Sequence, residues 1–178
     1  MSEPSASEDR VIEALRALAE EGDASAHELL GEFSSRPGSL GRLDVRAAEA
    51  HFRAAYEIAP TETRAQGIAR VLLYPEPEGD PVADRCDEAI ALLEAHIPGA
   101  GRTHDLLARA YRVKGGREEL ELRELRAATA ARFWPATFRL SRRLRERGRY
   151  MAAFRMNLRA RFGRSTAILH DRRDELRH

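Results

Sequence analysis

The amino-acid sequence predicts an all-α fold, and three observations carry that prediction. Ala and Leu dominate the apolar residues while β-branched and aromatic residues are sparse, a mix that favours helix over strand. Apolar residues recur at three- and four-residue steps along most of the chain, the period of an amphipathic helix. The interruptions, SSRPGSLG, YPEPEGDP and PGAG, are rich in residues that end helices and make turns. No alternating run of strand type stands out. At 178 residues the chain can form one domain with a sizeable buried core.

The clearest element is Asp44 to Pro60, DVRAAEAHFRAAYEIAP. Ala48, Phe52 and Ala55 stand at steps of four and three, which puts them on one helical face. The small residues admit a neighbouring helix, and the aromatic fills the space they leave. Asp44 is suited to cap the start of this helix and Pro60 to stop its end.

The other elements follow the same logic. Residues 1–6 read as a disordered lead-in. Ser5 and Glu8 have capping-box spacing ahead of a helix over about 8–21, striped by Val11, Ile12, Leu15, Leu18 and Ala19 and ended by Gly22. A second helix is expected to start at Ser25, with Glu28 completing a capping box, and to carry Leu29, Leu30, Gly31 and Phe33. Beyond Pro60, Thr61 is suited to cap a helix whose apolar face is Ile68, Ala69, Leu72 and Leu73. Asp80 and Pro81 fit the N-cap and first-turn positions of a helix running to about His96. Thr103 is expected to cap a helix with Leu106, Leu107, Ala108 and Tyr111, stopped by Gly115 and Gly116. A charged helix bearing Leu120, Leu122 and Leu125 leads to a junction at Phe133, Trp134 and Pro135. One helix then carries Phe138, Leu140, Ser141 and Leu144 to about Gly148; its partner runs from Arg149 through Tyr150, Ala153, Phe154 and Leu158. A short helix over about 165–177 closes the series.

Taken in pairs, these helices form about four antiparallel hairpins. Leu30-Gly31, Ile68-Ala69, Leu107-Ala108 and Leu140-Ser141 mark one position in the first helix of each pair. A hairpin that buries one side gains its core by stacking on the next. The resulting expectation is an α-solenoid: a single domain over 7–178, repeats at about 24–60, 61–98, 102–133 and 135–164, and capping helices at 8–21 and 165–177. In Leu30, Gly31, Phe33, Asp44, Ala48, Phe52, Ala55 and Pro60 the chain resembles the tetratricopeptide superfamily, including its Sel-one-like branch. Leu107, Ala108 and Tyr111, then Leu140, Ser141, Leu144, Gly148, Tyr150, Ala153 and Ala160, extend the resemblance to later repeats. His96 and Glu124 depart from it, standing where a small and a bulky apolar residue are expected.

Charge is segregated. Met1 to Ala131 holds 16 basic and 25 acidic residues, a net −9, whereas Arg132 to His178 holds 14 and 4, a net +10. The final third is therefore a candidate contact surface. No apolar run approaches the length of a membrane span, and MSEPSASEDR lacks the basic start and apolar core of a secretory signal, so the sequence predicts a cytoplasmic protein. Cys86 is the lone cysteine and reads as a buried small hydrophobe. His27, His51, His96, His104, His170 and His178 are scattered without metal-ligand spacing, and His51 and His96 sit among small apolar residues as packing histidines. Asp80, Asp84, Asp87 and Glu88 lack the spacing and central glycine of a calcium loop. Gly115-Gly116 lacks the Lys-Ser/Thr of a phosphate loop, and no nucleophile elbow occurs. The expectation is a non-catalytic chain with no metal and no cofactor.

The resemblance implies a concave groove lined by the first helix of each hairpin. In that register the groove faces are Glu28 and Glu32, Gln66 and Arg70, Asp105, Arg109 and Arg112, then Arg142 and Arg145, so the groove runs from acidic to basic. Arg109/Arg112 and Arg142/Arg145 are each three apart and share a helix side. Guanidinium forks suit carboxylates. Arg70, Arg109, Arg112, Arg142 and Arg145 are thus the candidate binding residues for an acidic peptide, and the implied role is a scaffold or adaptor, as bacterial Sel-one-like proteins often are. Two other partners fit the sequence. Nucleic acid suits eleven arginines and interspersed aromatics between Arg132 and Arg164. A second copy suits the opposed charges of the two parts, through a heterologous contact.

Overall fold

Every periodic stretch that the structure describes is helical. The computed structural model describes residues 6–35, 43–74, 82–156 and 158, and among these there are helices and connecting turns but no strand. The helices are α1 (Ala6–Glu20), α2 (Ala24–Ser34), α3 (Val45–Ile58), α4 (Glu62–Leu72), α5 (Val82–Glu94), α6 (Gly101–Lys114), α7 (Glu118–Ala130) and α8 (Trp134–Glu146), followed by α9 over 150–156. Ala6, expected in a disordered lead-in, is the first residue of α1. The expected roles of Ser5, Asp80 and Pro81 and the helix at 165–177 fall outside the described residues. No described helix is long and apolar enough to cross a membrane.

The packing is local in sequence. From α1 to α8 each helix packs on its successor, and α4 also touches α2 and α6. Three apolar clusters result. Ala19, Ala26 and Leu30 join α1 to α2. The largest runs from Ala48 and Phe52 on α3 to Leu107 and Tyr111 on α6 and includes fully buried Cys86. The third joins Ala108 on α6 to α7, α8 and Ala153 on α9.

α3 shows how sequence becomes packing. Asp44 is extended, and its carboxylate accepts the Ala47 N–H at 2.9 Å. Ala48, Phe52 and Ala55 are all buried, and they are the only buried residues of the helix. The Phe52 ring lies between two glycines of neighbouring helices. A Cβ on Gly31 of α2 would come within 2.9 Å of the ring, and one on Gly67 of α4 within 2.7 Å. Glycine at both positions lets α2 and α4 close on the aromatic. Gly31, Ala69, Ala108 and Ser141, the small residues marked by the repeat, are buried on α2, α4, α6 and α8.

Two helix starts differ from the sequence expectation. α2 is capped by Asp23, whose carboxylate accepts the N–H groups of Ser25 at 2.7 Å and Ala26 at 2.9 Å. Gly22, at φ +86°, turns the chain so that Asp23 reaches the helix end first, and Ser25 is already helical. Glu28 does not close a capping box; it pairs with Arg64 of α4 at 3.2 Å. At α6 Thr103 is not the cap either. The N-cap residue is Ala100, without a side-chain bond of its own, and the Thr103 hydroxyl donates to Glu62 of α4. Glu62 also accepts the Ala100 N–H at 2.5 Å, so a carboxylate from another helix caps α6. The Thr103 and Ala100 donors hold Glu62 below the usual carboxylate range.

Candidate functional site

Polar side chains bridge the even-numbered helices along one side of the array. Glu32 of α2 holds Arg70 of α4 at 2.7 Å. Gln66 of α4 is buried and donates to Thr103 of α6 at 2.9 Å. Arg109 of α6 donates to the Leu73 carbonyl at the end of α4 at 3.0 Å, and Asp105 of α6 takes Arg139 of α8. Several residues expected to face a partner therefore join one helix to the next. Glu28 and Glu32 are tied to arginines, Gln66 faces Thr103, and Asp105 is buried.

Arg109 sits where two clefts meet. One, of about 300 Å³, is lined by Arg109, Arg112 and Val113 of α6, Glu121 and Leu125 of α7, and Arg139 of α8. The other, of about 190 Å³, lies between Arg109, Arg70 and Tyr74 on one side and Ser35, Leu43 and Val45 on the other. The Arg70 guanidinium stacks over the Phe52 ring with its carbon 5.4 Å from the ring centroid.

The charge around Arg109 does not balance. Glu121 is buried and takes two hydrogen bonds from Arg143, at 2.8 and 2.6 Å. Asp105 is engaged by Arg139 through one oxygen; its other oxygen is buried with no hydrogen-bond partner. Among the described residues Arg109 has its carbonyl contact but no carboxylate within ion-pair distance, and Arg112 is exposed with no ion pair. Burial, and then the nearby charge of Arg139, lower the Arg109 pKa from the ordinary arginine value. A group in that state gains from an added anion.

Three of the five candidate arginines, Arg70, Arg109 and Arg112, thus line these clefts. Arg142 and Arg145 do not. Arg142 is exposed and pairs with Glu146 at 3.1 Å, and Arg145 is exposed. Arg139, absent from the candidate set, takes their place. Its signal was an acid followed by an arginine at a similar distance: Asp105 and Arg139 are 34 residues apart, as Glu28 and Arg64 are 36 and Glu32 and Arg70 are 38.

The remaining titratable clusters join helices. The His104 Nδ1 lies 2.7 Å from the buried Glu124 carboxylate, which also pairs with Arg123. The Tyr111 hydroxyl donates to Glu94 at 2.6 Å; burial and that carboxylate push its pKa up to about 12. Among the described residues no three metal-binding side chains converge. His96 accepts or donates a 3.0 Å bond with the Tyr56 hydroxyl as a packing histidine.

His27 of α2 and His51 of α3 face each other with their Nδ1 atoms 3.1 Å apart. One ring must donate and the other accept, so the bond is lost when both are protonated. Burial, then His27 and Arg16, hold the His51 pKa below its usual value. A depressed histidine pKa means that the unfolded chain binds the extra proton more readily. The associated stability is complete above the unfolded value of about 6.5 and is lost as pH falls through the lower folded value. Urea midpoints are expected to drop as pH falls below about 6.5, and His51→Gln should flatten that part of the profile. An unchanged profile in the variant would remove the pair as its cause.

No protein-family model matches this chain, and a search of curated proteins finds no match.

Proposed function

We propose that the chain is a tetratricopeptide-like α-solenoid of about four hairpins that acts, without catalysis, as a protein-binding scaffold for an acidic peptide segment. The reading is supported by the successive packing of helices, by the buried small residues Gly31, Ala69, Ala108 and Ser141 on alternate helices, and by the clefts along those helices. One observation carries it: Arg109 and Arg112 line a cleft whose acid, Glu121, is already held by Arg143, while Asp105, whose charge also acts on Arg109, is held by Arg139. A peptide carboxylate at Arg109 and Arg112 would receive the donors that no acid among the described residues occupies. Arg70 and Arg139 flank that point on the neighbouring helices. A charge-assisted hydrogen bond contributes about 1.5–3 kcal/mol, so loss of one such contact weakens binding by about tenfold or more.

The test is fluorescence anisotropy with a labelled peptide rich in Asp and Glu. Arg112→Glu and Arg109→Gln are each expected to weaken capture about tenfold or more, with Arg145→Glu close to wild type. Arg112 is exposed, so its variant should keep the urea midpoint. Capture undiminished in both cleft variants would sink the proposal, as would equal binding of a peptide with reversed charges. An oligonucleotide of matched charge separates this reading from a nucleic-acid site: tighter binding to the oligonucleotide, lost in the same variants, would reassign the arginines.

A further inference from the structure

The described chain has two faces that its own described helices leave open, and they lie at opposite ends of the packing order. At one end α1 packs on α2. Ile12, Leu15 and Ala19 take part in that contact, while Val11 and Leu18 remain 50% and 44% exposed. Val11, Ala14 and Leu18 stand at i, i+3 and i+7, so they form a second apolar stripe along α1. Asp9, Glu13, Glu20 and Glu21 are exposed along α1 and just after it, interspersed with the exposed Arg10 and Arg16, and none of the four acids makes an ion pair among the described residues.

At the other end α7, α8 and the residues to 158 enclose a cleft of about 860 Å³. Its walls include Trp134, Leu140, Leu144, Ala152, Met156 and Leu158. Arg126, Arg149 and Arg155 stand on it, all exposed and without ion pairs among the described residues. Thr137 also lines the cleft, and its hydroxyl is buried with no hydrogen-bond partner. A buried hydroxyl without a partner gains from an incoming polar group or water.

We propose that this cleft receives α1 of a second copy of the chain. Both faces are apolar at the centre; the cleft carries arginines, and on α1 and at its end the exposed acids Asp9, Glu13, Glu20 and Glu21 outnumber the exposed Arg10 and Arg16. The match extends beyond the contact itself, since the chain is net −9 up to Ala131 and net +10 after it. The α1 acids lie mostly on the side of the helix away from the Val11–Leu18 stripe. Their attraction to the cleft arginines therefore acts across solvent and is screened over about 8 Å at physiological ionic strength. The apolar stripe supplies the contact area, and the summed attraction between the acidic and the basic ends supplies the salt-sensitive part of the affinity. Two different surfaces meet, so the association is heterologous and builds head-to-tail chains or closed rings. This contact uses neither Arg109 nor Arg112 and stands independently of the groove.

Analytical ultracentrifugation of the full chain tests it. Association should appear at low salt and weaken about tenfold or more in 0.5 M NaCl. Val11→Gln/Leu18→Gln and Arg149→Glu/Arg155→Glu are each expected to sediment as monomers while keeping the wild-type urea midpoint. Mixed in equal amounts, the two should form a heterodimer and nothing larger, because one supplies an intact cleft and the other an intact α1. Arg126→Glu, placed on another helix, is the second cleft variant and should also weaken association. A wild-type chain that stays monomeric at low salt overturns the proposal, since the cleft is then closed by the chain itself or kept for another partner. So does an oligomer that either variant leaves intact, or a mixture that fails to pair.

Discussion

Phe52→Ala is expected to destabilise the chain by about 3–5 kcal/mol, the range for deleting a buried aromatic side chain. The upper part of that range applies because of what surrounds the ring. Phe52 is 1% exposed and lies between Gly31 and Gly67, neither of which has a side chain to move into the space. Total stability of a domain this size is about 5–15 kcal/mol, so Phe52→Asp, which adds a buried charge, should leave no folded population. Gly67→Ala probes the same contact from the other side: its Cβ would press into the ring, at about 1–3 kcal/mol for overpacking. In the Phe52→Ala background the same alanine enters a cavity and gains the helix propensity that glycine lacks, about 1 kcal/mol. Urea unfolding of the four species should therefore show strong non-additivity. Additive effects would mean that α2 and α4 do not close on the aromatic.

The second large effect is expected at Arg143. Its guanidinium holds the buried Glu121 carboxylate through two hydrogen bonds and also reaches Glu146 at 2.6 Å. Those two carboxylates, Glu121 first, raise the Arg143 pKa, so it stays charged at any pH at which the chain folds. Arg143→Met strands a buried charge, which costs about 3–5 kcal/mol, whereas replacing both partners by apolar residues is close to neutral. Glu121→Met/Arg143→Met should accordingly be more stable than Arg143→Met alone. Arg142 is the internal control. It is one residue away and also pairs with Glu146, but both groups are exposed, and Arg142→Glu should shift stability by only about 0.5 kcal/mol. A single Arg143→Met variant as mild as Arg142→Glu would show that solvent reaches Glu121.

α3 was legible in the sequence because its determinants are local. A cap three residues from the N–H that donates to it, a terminal proline and a four-three spacing of inward residues all lie within one short stretch. The same holds for the end of α6, where Gly115 takes φ +74°. What the sequence did not disclose depends on residues far apart in the chain. Gly67 reads as an ordinary helix residue until the ring of Phe52 is set against it. Asp23 and Ser25 are both good caps, and the turn at Gly22 decides between them. Among the candidate arginines, spacing placed Arg109 and Arg112 on one side of a helix, but only the packing of α6 against α7 and α8 distinguishes Arg139 in the cleft from Arg142 and Arg145 in solvent.

The carboxylate of Glu62 has a consequence for how the array can be taken apart. Two donors at the start of α6, the Ala100 N–H and the Thr103 hydroxyl, go to a residue that belongs to α4, so part of the instruction to begin one helix is stored in an earlier one. A helical pair cut out around α6 would lack its own starting signal, and a foreign pair inserted before it would have to bring an acid at the matching position. The units are therefore not interchangeable cassettes. Exchange of segments between such arrays has to respect a boundary that runs through the contact between α4 and α6, not through the loop that joins one pair to the next.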